Sequence, residues 1–215
     1  HRVDRRQRQM CIRDRYTIDR KVLNAWNYGA PQKRERLITI GIRNDLVGKT
    51  TYEFPKPHDY KPVLRDVLLD CPEGPGVQYG EKKKKIFELV PAGGYWRDID
   101  PEIAKEYMKS CWNMEGGRTG ILRRMSLDEP CLTVLTSPSQ KQTERCHPLE
   151  ARPFTVRENA RCQMFPDEWE FCGTVASQYK QVGNAVPVGL AFDVAKEIHK
   201  SLDNLDKAEV NLEEE

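Results

Sequence analysis

RPFTVRENARCQMFPDEW occupies residues 152–169, and after a short interval SQYKQVGNAVP occupies residues 177–187. Thr155 followed three residues later by Glu158 has the form of a capping box, in which a hydroxyl and a carboxylate satisfy the orphan amides of a helix start. The spacing predicts a helix to about Gln163 that stops before Pro166, which cannot continue it. Phe165, Trp169 and Phe171 supply bulky apolar groups to pin the loop that follows. Gln181–Val186 then reads as a loop, because Gly183 and Asn184 are the residue types that best tolerate positive φ. Pro187 suits the first turn of a new helix, whose N-terminus could hold an anionic group. Ala191, Val194, Ala195, Ile198 and Leu202 recur at helical spacing and predict one buried face. By pattern alone this is two packed amphipathic helices joined by a turn.

Far upstream, NYGAPQKRER covers residues 27–36. Gly29 and Pro31 make a turn, and LITIGI at 37–42 is a strong β run. Side chains alternate on a strand, so Gln32, Arg34 and Arg36 can share one face. Arginine suits bidentate contact with phosphate or a base carbonyl, but solvated arginines at the start of an exposed strand fit the same pattern. Residues 16–26 read as a short helix or helix-to-strand segment with Ile18, Val22, Leu23 and Trp26 as its apolar face.

Composition narrows the class. A chain of 215 residues, 32% charged and 38% hydrophobic, can bury a real core in one domain or two small ones. No apolar run approaches the ~20 residues of a membrane span, and the first residues have no apolar core of a secretory signal. Seven cysteines without a CxxC pair argue against a disulfide framework and a zinc module. A reducing, cytoplasmic compartment fits. Residues 1–15 hold six Arg against two Asp, and residues 203–215 hold six acids against one Lys; the net +2 of the whole chain leaves about +3 for the middle. That balance is compatible with nucleic acid. Residues 45–62 read as a linker, 63–70 as a short amphipathic helix, and 71–85 as a loop ending in the run Lys82, Lys83, Lys84 and Lys85. That run is either a solvated face or a phosphate contact giving affinity and salt sensitivity. A helix is expected at Pro101–Cys111, followed by a glycine turn at Gly116-Gly117, and strands and loops at 123–148.

The three blocks NYGAPQKRER, RPFTVRENARCQMFPDEW and SQYKQVGNAVP, in this order with a long insert after the first, resemble signature blocks of DNA (cytosine-5)-methyltransferases of the bacterial restriction–modification type. The resemblance covers roughly residues 18–200 and implies the C-terminal half of such an enzyme. The implied fold class is α/β: the C-terminal part of a Rossmann-like methyltransferase sheet plus a smaller irregular target recognition domain. It divides the chain into last strands of the catalytic domain (16–47), a target recognition region (48–150), returning helices (151–201) and an acidic, frayed tail (202–215). Residues 1–15 are expected to be a non-native leader, since MCIRDR is similar to translated sequencing-adapter sequence; a genuine basic arm is the alternative.

The resemblance also assigns roles. Arg36 would help hold a flipped cytosine and Arg34 would support the site or the phosphates. Gln32 would lie at the DNA. Asn184, Ala185 and Val186 would approach S-adenosylmethionine, the methyl donor. Arg157 and Glu158 would brace the recognition domain. Arg118, Arg123, Arg124, Gln140, Gln142 and Arg145 are chemically suited to reading base edges in the major groove. The family chemistry uses a cysteine thiolate at C6 and a glutamate at N3 of a base flipped from the duplex. The blocks that would carry them, a glycine-rich loop, a Pro-Cys loop and a Glu-Asn-Val strand, are not found before Asn27. Pro130-Cys131 is a decoy in a strand-like context suited to a buried thiol. The implied partners are double-stranded DNA, the missing N-terminal catalytic half and a cognate restriction endonuclease, without a membrane, and the 215-residue chain alone is expected to be inactive. A stand-alone DNA-binding specificity module or a subunit of a split methyltransferase is the alternative, and a degenerate product without function a third.

Overall fold

The computed structural model describes residues 15–116, 118–138 and 140–213. Its first element is a β-hairpin. β1 (Tyr16–Asn24) pairs antiparallel with β3 (Glu35–Arg43), in a register that sets Val22 opposite Leu37 and Leu23 opposite Arg36. The helical expectation for residues 16–26 is thereby corrected. A strand comes first, then one 3-10 turn at Ala25–Tyr28 whose start is capped by the Asn24 side chain and whose end is Gly29 at φ 84°. The period of two separates Val22 from Leu23: Leu23 is buried, whereas Val22 and Leu37 form a pair 58% and 61% exposed.

Inside the hairpin, β2 (Gln32–Lys33) leaves β1 and β3 and pairs parallel with β4 (Cys131–Leu132). This two-residue ladder joins the hairpin to the middle of the chain. Among the described residues these two small sheets are the only ladders of named strands.

Residues 47–62 are irregular, as expected, and α1 (Arg65–Leu68) is a single buried-edge turn. The lysine run lies on α2 (Glu81–Leu89) rather than in a loop. Glu81 in its first turn favours the start, and Phe87 and Val90 turn inward. α3 (Pro101–Met108) begins as the sequence predicts: Pro101 follows Asp100, whose carboxylate accepts from the amides of Glu102 and Ile103. It continues as a 3-10 turn through Asn113, and Gly116 at φ 96° supplies part of the expected glycine turn.

Three helices complete the chain: α4 (Val156–Cys162), α5 (Val175–Asn184) and α6 (Val188–Glu213). The capping box is present. Thr155 Oγ1 accepts from the Glu158 amide, and Glu158 returns a carboxylate to the Thr155 amide at 2.7 Å. The expected loop at Gln181–Val186 is corrected, because α5 runs through Asn184 and leaves Ala185–Pro187 as the connection. Gly183 is helical; its glycine is required by proximity, not by φ. A Cβ there would lie 2.5 Å from the carbonyl of Leu135 and the amide of Thr136. The expected fraying from Leu202 is also corrected, since the helix continues to Glu213.

The face expected to be buried on α6 is mostly open. Ala191, Ala195, Ile198 and Leu202 are exposed, with Phe192 at 66%, while Leu190 and Val194 turn inward against Leu23, Ala25 and Tyr28. The apolar spacing is real, but the stripe is only partly covered: Ile198 and Leu202 face the hairpin across a cavity lined by Tyr16, Ile40, Ile42 and Leu46. Two further cores lie in the remaining chain. One gathers Leu64, Leu68, Met125, Val134, Phe154, Val156 and Tyr179; the other gathers Phe87, Trp96, Ala104, Met108, Ile121 and Leu122.

Gly183→Ala pushes a methyl into the Leu135–Thr136 backbone, and overpacking of this kind costs about 1–3 kcal/mol. A lowered urea midpoint with an unchanged m-value is the expected result; an unchanged midpoint would show that the α5–Leu135 approach can relax.

Candidate functional site

The residues of the first and last sequence blocks meet at one buried point. Gln32 is 0% exposed: its Nε2 donates to the Cys162 carbonyl at 2.8 Å and to Gln163 Oε1 at 2.7 Å, and its Oε1 accepts from the Val134 amide. Gln163 in turn donates to the Val182 carbonyl at 2.8 Å. The expectation that Gln32 touches DNA is therefore corrected, because both ends of its amide are consumed inside the protein. Gln163 was not singled out from the sequence; its only signal was an amide among the apolar residues of RCQMF.

Arg34, 2% exposed, extends the same junction. Its Nη1 donates to the Val134 carbonyl at 3.1 Å, and its Nη2 to the carbonyls of Gly183 at 2.8 Å and Ala185 at 3.0 Å. Burial, and secondarily the charge of Arg36, pulls its guanidinium down to about 10, still cationic at neutral pH. Arg34 thus fixes the α5–α6 connection to the start of β3. Arg36 follows on the half-exposed face, opposite Leu23. Its Nη1 donates to the neighbouring Glu35 carbonyl, and it has no carboxylate partner among the described residues.

The connection itself presents chemistry. The exposed Asn184 side chain makes no hydrogen bond among the described residues, Val186 is half exposed, and Ala185 is held from behind through its carbonyl. An amide and an apolar surface on a backbone fixed from behind fit one wall of an S-adenosylmethionine site.

The middle segment sorts the remaining candidates. Lys82, Lys84 and Lys85 are exposed. Lys83 is not available: its Nζ lies 2.6 Å from Glu144 Oε1 and over the Tyr79 ring. Glu144, fully buried, also accepts from Tyr107 Oη at 2.5 Å and from the Leu122 amide at 2.6 Å. No periodicity signals such a residue in QTERCHP. Arg124 is likewise committed, to the carbonyls of Phe87, Val90 and Pro148. Arg118 donates to the carbonyls of Cys111 and Trp112 and stacks on Trp96. The base-reading expectation is corrected for Arg118 and Arg124, which close carbonyls within the fold, and the phosphate-contact expectation is corrected for Lys83, which pairs with Glu144. Gln140 and Gln142 are exposed, and Arg123 and Arg145 are half buried side by side.

Arg157, expected to brace one domain against another, holds a loop instead, donating to the carbonyls of Pro166 and Trp169. Glu158 receives Arg152 through both oxygens, at 2.8 and 2.9 Å. Burial opposes its ionisation, but these bonds and the Thr155 amide outweigh it and hold the carboxyl below its ordinary range. His147 Nε2 lies 3.5 Å from Glu158, and burial lowers the imidazole pKa.

With this geometry in place, the profile of the C-5 cytosine-specific DNA methylase family matches residues 9–200. The chain belongs to that family. The match begins within residues 1–15, the stretch expected to be a non-native leader, of which residues 1–14 lie outside the described residues. Among methylase relatives, the Type II methyltransferase M.Sau96I of Staphylococcus aureus is 54% identical over 192 residues, covering 88% of this chain and 45% of that protein. M.Eco47II of Escherichia coli, also a Type II methyltransferase, is 50% identical, covering 89% of this chain and 48% of that protein. The chain spans about half the length of these curated relatives. In fold it is similar to a prophage-encoded E. coli protein described as a DNA modification methyltransferase, with TM-score 0.62, 23% identity, and coverage of 93% of this chain and 64% of that one. The family's α/β fold follows. Among the described residues no helix is long and apolar enough to cross a membrane.

Two predictions follow from the buried polar groups. Arg34→Lys leaves a point charge where a fork bridged three carbonyls, and lowers the unfolding free energy by about 2–4 kcal/mol, read by urea denaturation; a loss under about 0.5 kcal/mol would contradict the clamp. The second is an acid limb. The folded state refuses a proton that unfolded His147 takes, so stability falls as pH drops below the ordinary histidine value of 6.5, and Glu158 adds a further loss below its ordinary 4.5. His147→Asn abolishes the upper limb alone in a thermal melt series against pH.

Proposed function

We propose that this chain is the DNA-recognising C-terminal half of a cytosine-5 DNA methyltransferase of a restriction–modification system, acting on a cytosine flipped from a specific duplex sequence. The observation that carries this reading is the Arg34 clamp, which binds the start of β3 to the Asn184–Val186 connection across about 150 residues of chain. Two stretches assigned to the two substrates of a methyl transfer are thereby built into one wall. S-adenosylmethionine, when bound, supplies the methyl group. Asn184 and Val186 would hold it, Ala185 would fix their backbone, and Arg36 would hold the cytosine. Arg34 acts behind both as a positioning residue. Residues 48–150 supply the target recognition domain, and 16–47 with 151–201 supply the last strands and returning helices of the Rossmann-like catalytic domain.

The nucleophile comes from elsewhere. Cys131 is buried on β4, and burial pushes the Cys71 thiol up to about 11 and the Cys146 thiol up to about 12. Thiols so shifted give little thiolate at neutral pH. The partner that completes the site is the N-terminal catalytic half, and the open apolar residues of α6 and of the Val22–Leu37 pair suit burial against it. Within the cell this reading places the protein in the cytoplasm with double-stranded DNA and a cognate restriction endonuclease. A split enzyme, with this chain as its separate specificity subunit, uses the same surfaces.

The test measures transfer of labelled methyl from S-adenosylmethionine to duplex DNA. The purified 215-residue chain should transfer none, and addition of a polypeptide carrying the glycine-rich, Pro-Cys and Glu-Asn-Val blocks should restore transfer. Transfer by the chain alone would overturn the reading. In the assembled enzyme Arg36→Ala should lower kcat by about 10²-fold while leaving DNA affinity nearly unchanged; equal losses in both would make Arg36 a phosphate anchor only.

A further inference from the structure

Lys83, Arg118 and Arg124 of the middle segment are committed within the fold, whereas two partly buried arginines have no carboxylate partner among the described residues. Arg123 and Arg145 lie on neighbouring stretches of backbone, where the Cys146 amide donates to the Arg123 carbonyl at 2.9 Å and Arg124 forms a β-bridge with Cys146, and the charge of Arg123 disfavours that of Arg145. The Nε of each is buried without a hydrogen-bond partner among the described residues. Arg145 donates to the Glu144 carbonyl at 2.8 Å, and neither arginine has a carboxylate partner among the described residues. Glu144, the adjacent acid in sequence, is consumed by Lys83, Tyr107 and the Leu122 amide. Burial lowers the Arg145 pKa, with Arg123 adding to the effect.

Beside them, the guanidinium of Arg123 lies 5.6 Å from the Tyr95 ring centroid, and that of Arg97 lies 6.0 Å from the same ring. Arg97 is exposed and has no carboxylate partner among the described residues. The nearest acid in sequence, Asp98, accepts from the Tyr95 amide at 2.8 Å. The result is a half-buried cationic cluster around an aromatic face.

Two like charges held together in partial burial are unfavourable in the free protein. A base edge carries hydrogen-bond acceptors but no net charge, so reading it would leave the repulsion in place. A phosphate removes the repulsion and accepts from the guanidinium forks. We infer that Arg123 and Arg145, with Arg97 over the Trp96 and Tyr95 rings beside them, form a phosphate anchor that fixes the recognition region on the DNA backbone. This rests on the DNA-binding reading above and deepens it: the anchor sets register and affinity, while sequence is read by other side chains.

The experiment uses the whole 215-residue chain and labelled duplexes of many sequences, with affinity measured from about 50 to about 200 mM KCl. Arg123→Gln and Arg145→Met should each weaken binding to every duplex by a similar factor and lower the slope of log K against log salt by about 0.9. Without DNA, Arg145→Met should melt at or above the wild-type temperature, because it removes a repulsive buried charge. A purely structural arginine would instead lower the melting temperature. Unchanged slopes, a changed sequence preference, or a destabilised Arg145→Met would overturn the inference. Wild-type chain that binds no duplex at all would instead overturn the DNA-binding reading on which it rests.

Discussion

A buried amide and a buried guanidinium hold this protein's two ends together. Gln32 and Arg34 sit where water cannot reach, so each of their donors must find a protein acceptor or cost the fold its desolvation. The acceptors come from Val134 just beyond β4, Cys162 at the end of α4, and Gly183 and Ala185 at the end of α5. Those elements are far apart in sequence, and their relative placement is set by the reach of two side chains. Gly183 belongs to the same constraint, since only the absence of a Cβ lets α5 approach the Leu135 carbonyl closely enough. Alternation keeps the next residue of the pattern, Arg36, on the same face as Arg34, but one step further along the strand it is only partly buried, which is how one short motif serves both as anchor and as reach.

The middle segment solves a similar problem with a carboxylate. Glu144 is surrounded by Lys83, Tyr107 and the Leu122 amide, and around it lie Phe87, Met108, Ile121 and Leu122 in a core of their own. Regular structure is sparse there, so helix and strand ladders cannot satisfy the backbone. Side chains do so instead: Arg124 and Arg118 between them close carbonyls of five residues. Arginines that looked like readers of DNA are in large part the mortar of an irregular domain. What distinguishes Arg123 and Arg145 is that they are partly buried beside one another with only one carbonyl, that of Glu144, closed between them among the described residues.

The legible parts of the sequence were those whose physics is local. The Thr155–Glu158 capping box, Pro101 behind Asp100, the β run at 37–42 and the buried thiol of Cys131 depend on neighbours within a few residues. The errors share the opposite character. Gly183-Asn184 carried a loop signature, but the glycine answers to a backbone nearly fifty residues earlier in the chain. Lys82–Lys85 carried a solvated-loop signature, but Lys83 answers to Glu144. The α6 stripe was correctly apolar and is left mostly open, because periodicity reports that a face is apolar without saying which chain covers it.

By itself, then, the sequence determined the family, through residue types in a fixed order, and the local starts and stops of its helices and strands. The tertiary structure decided which polar side chains face inward. Burial is a property of the assembled fold, and a buried arginine and a solvated one are the same letter. Only in three dimensions do Gln32, Arg34 and Arg124 prove to be engaged by carbonyls, and Arg123 and Arg145 prove to lie partly buried beside each other without a carboxylate among the described residues.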